Sequence, residues 1–139
     1  MNSRPTLAVV MDPITDIKFS KDSTLAMLLA AQADGFELRY LEMGDLMLRD
    51  GVALGRTRPL KVFKDPARWF ELGDPGLQRL GDLDAILMRK DPPFDTEYIY
   101  STYILERAQD QGALVVNDPR GLRDMNEKVY TAWFPQCCA

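Results

Sequence analysis

The chain has 139 residues, 46% hydrophobic and 27% charged, which suits one domain with its own core. Its 17 basic and 21 acidic residues give a net charge of -4 with no long block of one sign, which argues against nucleic acid or a membrane surface as a partner. There is no histidine, which excludes Ser-His and Cys-His catalysis and imidazole metal sites within the chain.

No apolar run approaches the ~20 residues needed to span a bilayer. The amino terminus also lacks the basic region, apolar core and cleavage site of a signal peptide, so the expected location is the cytoplasm. Cys137 and Cys138 are adjacent and close to the terminus. They suit neither a disulfide staple nor metal-ligand spacing and read as exposed thiols on a frayed end.

Residues 6–11 (Thr-Leu-Ala-Val-Val-Met) read as a short buried strand closed by Asp12-Pro13. Asp22 or Ser23 then caps a helix on which Leu25, Leu28 and Leu29 follow helical spacing, and Gly35 ends it. Residues 36–43 read as the next parallel strand, reached by a right-handed crossover. Asp50-Gly51 is a hairpin turn between two apolar segments. Residues 56–63 continue extended, residues 64–70 are expected to turn into a short helix with Pro66 at its start, and residues 71–82 to form a surface loop.

Ala85, Ile86, Leu87 and Met88 form an apolar run without alternation, the pattern of a central strand covered on both faces. The run stops at Arg89-Lys90-Asp91, and Pro92 and Pro93 forbid further ladder bonding. Charge is thereby held at the strand's carboxyl end, where open α/β sheets bind ligands. Taken alone, the same residues read more readily as ordinary loop charges. Asp95 or Thr96 starts the longest helix, which runs to about residue 111 with Gly112 past its end. Tyr98, Ile99, Thr102, Leu105 and Ala108 share the face expected to pack on the sheet. Tyr100, Tyr103 and Ile104 fall outside that stripe and are open to two assignments, core partners or a homo-oligomer contact. Residues 113–116 form a last strand leading into Asn117-Asp118-Pro119, and Asn126 caps a final segment over 127–134.

Three apolar strands thus end in polar-proline turns, at Asp12-Pro13, Asp91-Pro92-Pro93 and Asp118-Pro119, which suggests one rim shared by Asp12 and Arg89. An arginine there can hold a carboxylate bidentately. No Walker A loop, Gly-x-Gly-x-x-Gly, Gly-x-Ser-x-Gly or cluster of ligand-spaced acids occurs, so an ordinary dinucleotide-binding domain is disfavoured. The expected fold is α/β, a mostly parallel sheet flanked by helices with a β-hairpin insertion.

Longer segments then carry a resemblance. They are Val10-Met11-Asp12-Pro13, Leu41-Glu42-Met43-Gly44-Asp45-Leu46, residues 86–95 (Ile-Leu-Met-Arg-Lys-Asp-Pro-Pro-Phe-Asp), residues 103–108 (Tyr-Ile-Leu-Glu-Arg-Ala) and Asn126-Glu127-Lys128 with Thr131-Ala132-Trp133-Phe134. Together they closely resemble the amino-terminal part of the prokaryotic glutathione synthetase family over about residues 7–134. The resemblance implies an ATP-grasp ligase, an ATP-dependent carbon-nitrogen ligase that joins γ-glutamylcysteine to glycine through an acyl phosphate, with ATP and magnesium as cofactors and glutathione as product. It implies a Rossmann-like pre-ATP-grasp domain over residues 1–124 and the start of the ATP-grasp region over 125–139. By the same resemblance Arg89 matches the arginine of the peptide site and Lys128 the lysine that contacts ATP. Asp12 stands beside Arg89 as a further substrate-side candidate; no catalytic residue and no metal ligand is assigned among these positions. The family's chain continues well past Phe134, so a truncated domain, inactive by itself, is expected. A non-catalytic peptide-binding or assembly module of α/β fold is the alternative.

Overall fold

The computed structural model describes residues 3–137. The elements run β1 (Thr6–Val10), α1 (Ser23–Ala33), β2 (Glu37–Leu41), β3 (Leu46–Arg49), β4 (Val52–Val62), β5 (Phe70–Leu72), β6 (Gly76–Arg79), β7 (Ala85–Met88), α2 (Thr96–Asp110), β8 (Leu114–Val116) and α3 (Pro119–Asp124). One sheet takes the order β3-β4-β2-β1-β7-β8, with β5 and β6 also paired to β4. The four strands β2, β1, β7 and β8 are parallel, with Val9 opposite Tyr40 on one side and Leu87 on the other. The apolar run at residues 85–88 is therefore a central strand, and the α/β class expected from the sequence holds. The exposed thiols expected at the terminus fall on Cys138 and on the side chain of Cys137, both outside what the structure describes.

Both faces of the central strands β1 and β7 are covered, which is why they carry no apolar-polar alternation, whereas Leu114 and Val116 of the edge strand β8 are exposed. Ala8, Val10, Ile86, Met88 and Val115 face a core built with Leu105 and Ala108 of α2. Leu7, Val9 and Leu38 face the opposite core, closed by Leu25 and Leu28 of α1. The β1-α1-β2 and β7-α2-β8 units advance in opposite directions across the sheet, and their helices lie on opposite faces, as two crossovers of one hand require. Asp22 caps α1 by accepting from the Leu25 amide, and Asp95 caps α2 by accepting from the Tyr98 amide. Gly35 and Gly112, at φ of 93° and 124°, end the two helices as expected. Ile104 packs against the core, Tyr103 carries the Arg123 guanidinium 4.2 Å above its ring, and Tyr100 is exposed, so the three residues outside the α2 stripe have three different surroundings.

The antiparallel part is larger than the single expected hairpin. Asp50 and Gly51 make the β3–β4 turn with φ of 51° and 75°, the two left-handed residues of a type I′ turn. β4 then runs on for 11 residues, its first half pairing with β3 and β6 and its second with β2 and β5. Residues 71–82 are not a surface loop: they supply part of β5, all of β6 and a 3-10 turn at Leu80–Asp82 whose Leu80 is fully buried. The expected short helix at Pro66 is also absent. Asp65 instead closes a tight turn, its side chain accepting from the Ala67 amide and its carbonyl from Arg68, and the Phe63 amide donates to the Trp69 carbonyl. Turn residues at 65–66 and 73–76 were the right punctuation, but pairing to the long β4 turned the short segments between them into strands.

Two glutamines satisfy β4 backbone groups that no strand reaches. Gln32 of α1 bonds both the amide and the carbonyl of Val62, and Gln111 accepts from the Ala53 amide. Gly81 permits the close approach of the Leu80–Asp82 turn to the end of α2. A Cβ at Gly81 would lie 2.6 Å from Gln111 Cβ and 3.0 Å from its carbonyl oxygen. Gly81→Ala should therefore destabilise the fold by about 1–3 kcal/mol, through forced displacement of backbone. Urea unfolding of the two proteins measures it, and an unchanged midpoint would contradict the close approach.

Candidate functional site

The chain turns away from β1 toward β2 on one side and from β7 toward β8 on the other, so the carboxyl ends of β1 and β7 meet at a topological switch point. A crevice forms there because the following helices leave on opposite faces. The rim expected from the three polar-proline turns exists: β1, β7 and β8 are parallel neighbours, and all three turns lie at their carboxyl ends. The Arg89 amide donates to the Val10 carbonyl at 2.8 Å, extending the ladder one residue before Pro92 and Pro93 break it.

Asp12 spans the switch point. Its Oδ1 accepts from Lys90 Nζ at 2.9 Å and its Oδ2 from the Asp91 amide at 3.0 Å. Burial alone would raise the Asp12 carboxyl, but the hydrogen bond from Lys90, the Asp91 amide and the Lys90 charge outweigh it and hold the group below the usual carboxylate range. Lys90 also donates to the Asp91 carbonyl, so its ammonium is committed within the loop. At the other end of the same strand pair Asp84 Oδ2 accepts from both the amide and the hydroxyl of Thr6, which lowers its pKa as well. An aspartate thus ties β1 to β7 at each end.

Arg89 is half-buried beside Asp12, in a polar cleft of about 210 Å³ that it shares with Met11, Lys21, Ser23, Thr24 and Asp91. Its Nε donates to Thr24 Oγ1 at 3.1 Å. The Asp22 carboxylate, also at the cleft, is spent on the Leu25 amide. With Asp12 paired to Lys90, the side-chain charges left facing the cleft are Lys21 and Arg89 against Asp22 and Asp91, since a neutral amide does not cancel the Asp22 charge. The group at the cleft with the geometry for a carboxylate fork is the Arg89 guanidinium.

The loop after β1 is held by two residues that the sequence reading passed over. Tyr40 accepts from the Ile14 amide and donates to Glu42, and burial followed by that acceptor pushes its phenol well above the ordinary range. Trp69 Nε1 donates to the Ile14 carbonyl at 3.0 Å. The signal available was the polar tip of each ring, since a buried Tyr or Trp needs a partner. Thr24 was also missed, because a hydroxyl two residues after a helix cap reads as part of the cap.

Lys128 lies elsewhere. It is exposed on a turn in which Asn126 Oδ1 accepts from the Lys128 and Val129 amides. Asn126 and Glu127 border a second depression, of about 600 Å³, on the other side of the rim with Phe94, Tyr98 and Arg123. The structure therefore brings Asp12 and Arg89 to one cleft and leaves Lys128 outside it. Among the described residues no group of three or more acidic or cysteine side chains is placed to hold a metal ion.

A mixed sheet with four parallel strands, helices on both faces and a polar crevice at its switch point defines an α/β domain of the doubly wound class. The model of the family described as prokaryotic glutathione synthetase, N-terminal domain, matches residues 6–123, and the chain belongs to that family. Over 130 residues it is 58% identical to the glutathione synthetase of Shewanella oneidensis. Over 131 residues it is 61% and 62% identical to those of Pseudomonas putida and Pseudomonas aeruginosa. Each comparison covers 94% of this chain, which spans 41% of the length of these relatives.

The clamp at Asp12 has a pH signature. A carboxyl whose folded pKa is depressed stabilises fully above its unfolded value of about 3.9, and that contribution is lost as pH falls through the folded value. Asp12→Asn should unfold at lower urea than the parent near pH 7, and the difference should close by about pH 2. A gap of the same size at both pH values would show that the carboxylate charge is not what holds the loop.

Proposed function

We propose that this chain is the peptide-side domain of an ATP-dependent ligase that joins γ-glutamylcysteine to glycine, with Arg89 binding a carboxylate of the peptide. The observation that carries this reading is the Arg89 guanidinium at the switch-point cleft, held by its Nε and flanked by the start of α1. A guanidinium fork matches a carboxylate with two parallel charge-assisted bonds. In this reading Asp12 acts on substrate through the loop it holds, since both its oxygens are engaged by Lys90 and Asp91. The proposed setting is the cytoplasm; among the described residues no helix is long and apolar enough to cross a membrane.

Lys128 is the residue of this chain proposed to meet ATP. Bound ATP with magnesium would supply the phosphoryl group that activates the peptide carboxyl. The described residues do not make a site for it, since one exposed lysine on a turn encloses no phosphate and no three acids converge. Phosphoryl transfer demands nucleotide, metal and acceptor held in line. The 139-residue chain by itself, spanning 41% of its relatives' length, is accordingly proposed to be inactive.

The test of the Arg89 role uses a chimera in which residues 6–123 replace the matching segment of the Pseudomonas aeruginosa glutathione synthetase. Arg89→Ala should lower kcat/KM for γ-glutamylcysteine roughly 10- to 150-fold, the equivalent of about 1.5–3 kcal/mol, and leave KM for ATP unchanged. An unaltered kcat/KM for the peptide rejects the assignment. Incubating the purified chain alone with γ-glutamylcysteine, glycine, ATP and magnesium should yield no glutathione above background. Turnover that is lost on Lys128→Ala would overturn the proposal of inactivity.

A further inference from the structure

We infer that Thr24 is a positioning residue for Arg89, and that it restricts the cleft to a carboxylate bound end-on by the two terminal nitrogens of the guanidinium. The inference rests on the reading of Arg89 as the carboxylate-binding group and adds the residue that aims it. A guanidinium can meet a carboxylate along two edges, Nε with one Nη, or both Nη together. Thr24 Oγ1 takes the Nε hydrogen at 3.1 Å, so the first edge is spent inside the protein. The second edge is left for ligand.

Thr24 is suited to this work. It is 6% exposed, lies in the first turn of α1 beside the capping Asp22, and lines the same cleft as Arg89 from the opposite element. A threonine in a helix is confined to two main χ1 states, and the one adopted here carries Oγ1 to Arg89 Nε. The helix is in turn anchored by Leu25 and Leu28, which share a core with Val9, Met11 and Leu38. An arginine side chain has several freely rotating bonds, and its fork is useful in one plane only. The bond from Nε to a stiff, buried hydroxyl fixes that plane before ligand arrives, and pre-organisation of this kind acts on substrate affinity. The two residues are 65 positions apart, so the contact exists only in the folded domain.

The test is made in the same chimera, with Arg89→Ala run alongside. Thr24→Val keeps the volume and branching but removes the acceptor. It should raise KM for γ-glutamylcysteine roughly 5- to 20-fold, with kcat and KM for ATP within about twofold of the parent, a scale between that of a neutral hydrogen bond and one to a charged group. Thr24→Ser, which keeps the acceptor, should return KM to within about threefold of the parent. In the Arg89→Ala background Thr24→Val should add less than about twofold, because nothing remains to be aimed. Should Thr24→Val not fold, Thr24→Ala carries the same expectations. An unchanged KM in Thr24→Val while Arg89→Ala is impaired overturns the inference and leaves the reading of Arg89 standing. The inference is equally overturned if Thr24→Ser is as impaired as Thr24→Val, or if Thr24→Val costs the same with and without Arg89. An unimpaired Arg89→Ala overturns the underlying reading and the inference with it.

Discussion

The constraint on which the rest of this domain depends is the reversal of direction between β1 and β7. These two parallel neighbours meet in register, with Val10 opposite Met88, and their chains then leave for opposite sides of the sheet. Neither outgoing helix covers the gap, so polar residues at the two strand ends face one another across it. Proline follows each end and prevents the ladder from closing the gap with further strand. Asp12 bridges what remains, and Asp84 does the same at the far end of the pair. Asp12 is therefore committed to the loop, while Arg89 gives its Nε to Thr24 at the cleft.

A second dependence runs through β4. Its 11 residues join the parallel core to an antiparallel arm, and the arm returns Trp69 to the loop after β1, where the indole nitrogen meets the Ile14 carbonyl. Tyr40 reaches the same residue from β2 and bonds its amide. The stretch between β1 and α1 is thus held at one residue by two rings, Tyr40 of β2 and Trp69 just before β5. That stretch carries one wall of the cleft, with Ile17 and Lys21, and delivers the start of α1 to Arg89. The arm contributes to the site without touching it.

The match to the prokaryotic glutathione synthetase amino-terminal family spans residues 6–123, which takes in every residue lining the switch-point cleft. Position on the rim separates Arg89 from Lys90, although they are adjacent in sequence. Arg89 faces the α1 side and keeps the outer edge of its guanidinium uncommitted, while Lys90 pairs with Asp12 and borders the depression on the α3 side.

Local patterns in the sequence were enough to determine the parallel core. The unalternating run at residues 85–88, the caps at Asp22 and Asp95, the left-handed glycines at 35 and 112 and the Asp50-Gly51 turn each act through their own backbone or nearest neighbours, so each was legible before the fold was known. The rim was legible for the same reason, since three strands carried their own stop signals. The strands over residues 70–79 were not, because segments of three and four residues have no stable conformation without the partner β4 supplies. Nor could Asp12, Thr24 and Tyr40 be assigned their partners. An aspartate reads the same in sequence whether its charge is free or paired, and a threonine the same whether it caps a helix or holds an arginine. Those differences arise only when residues 65 to 79 positions apart come within 3.1 Å, which the tertiary structure alone decides.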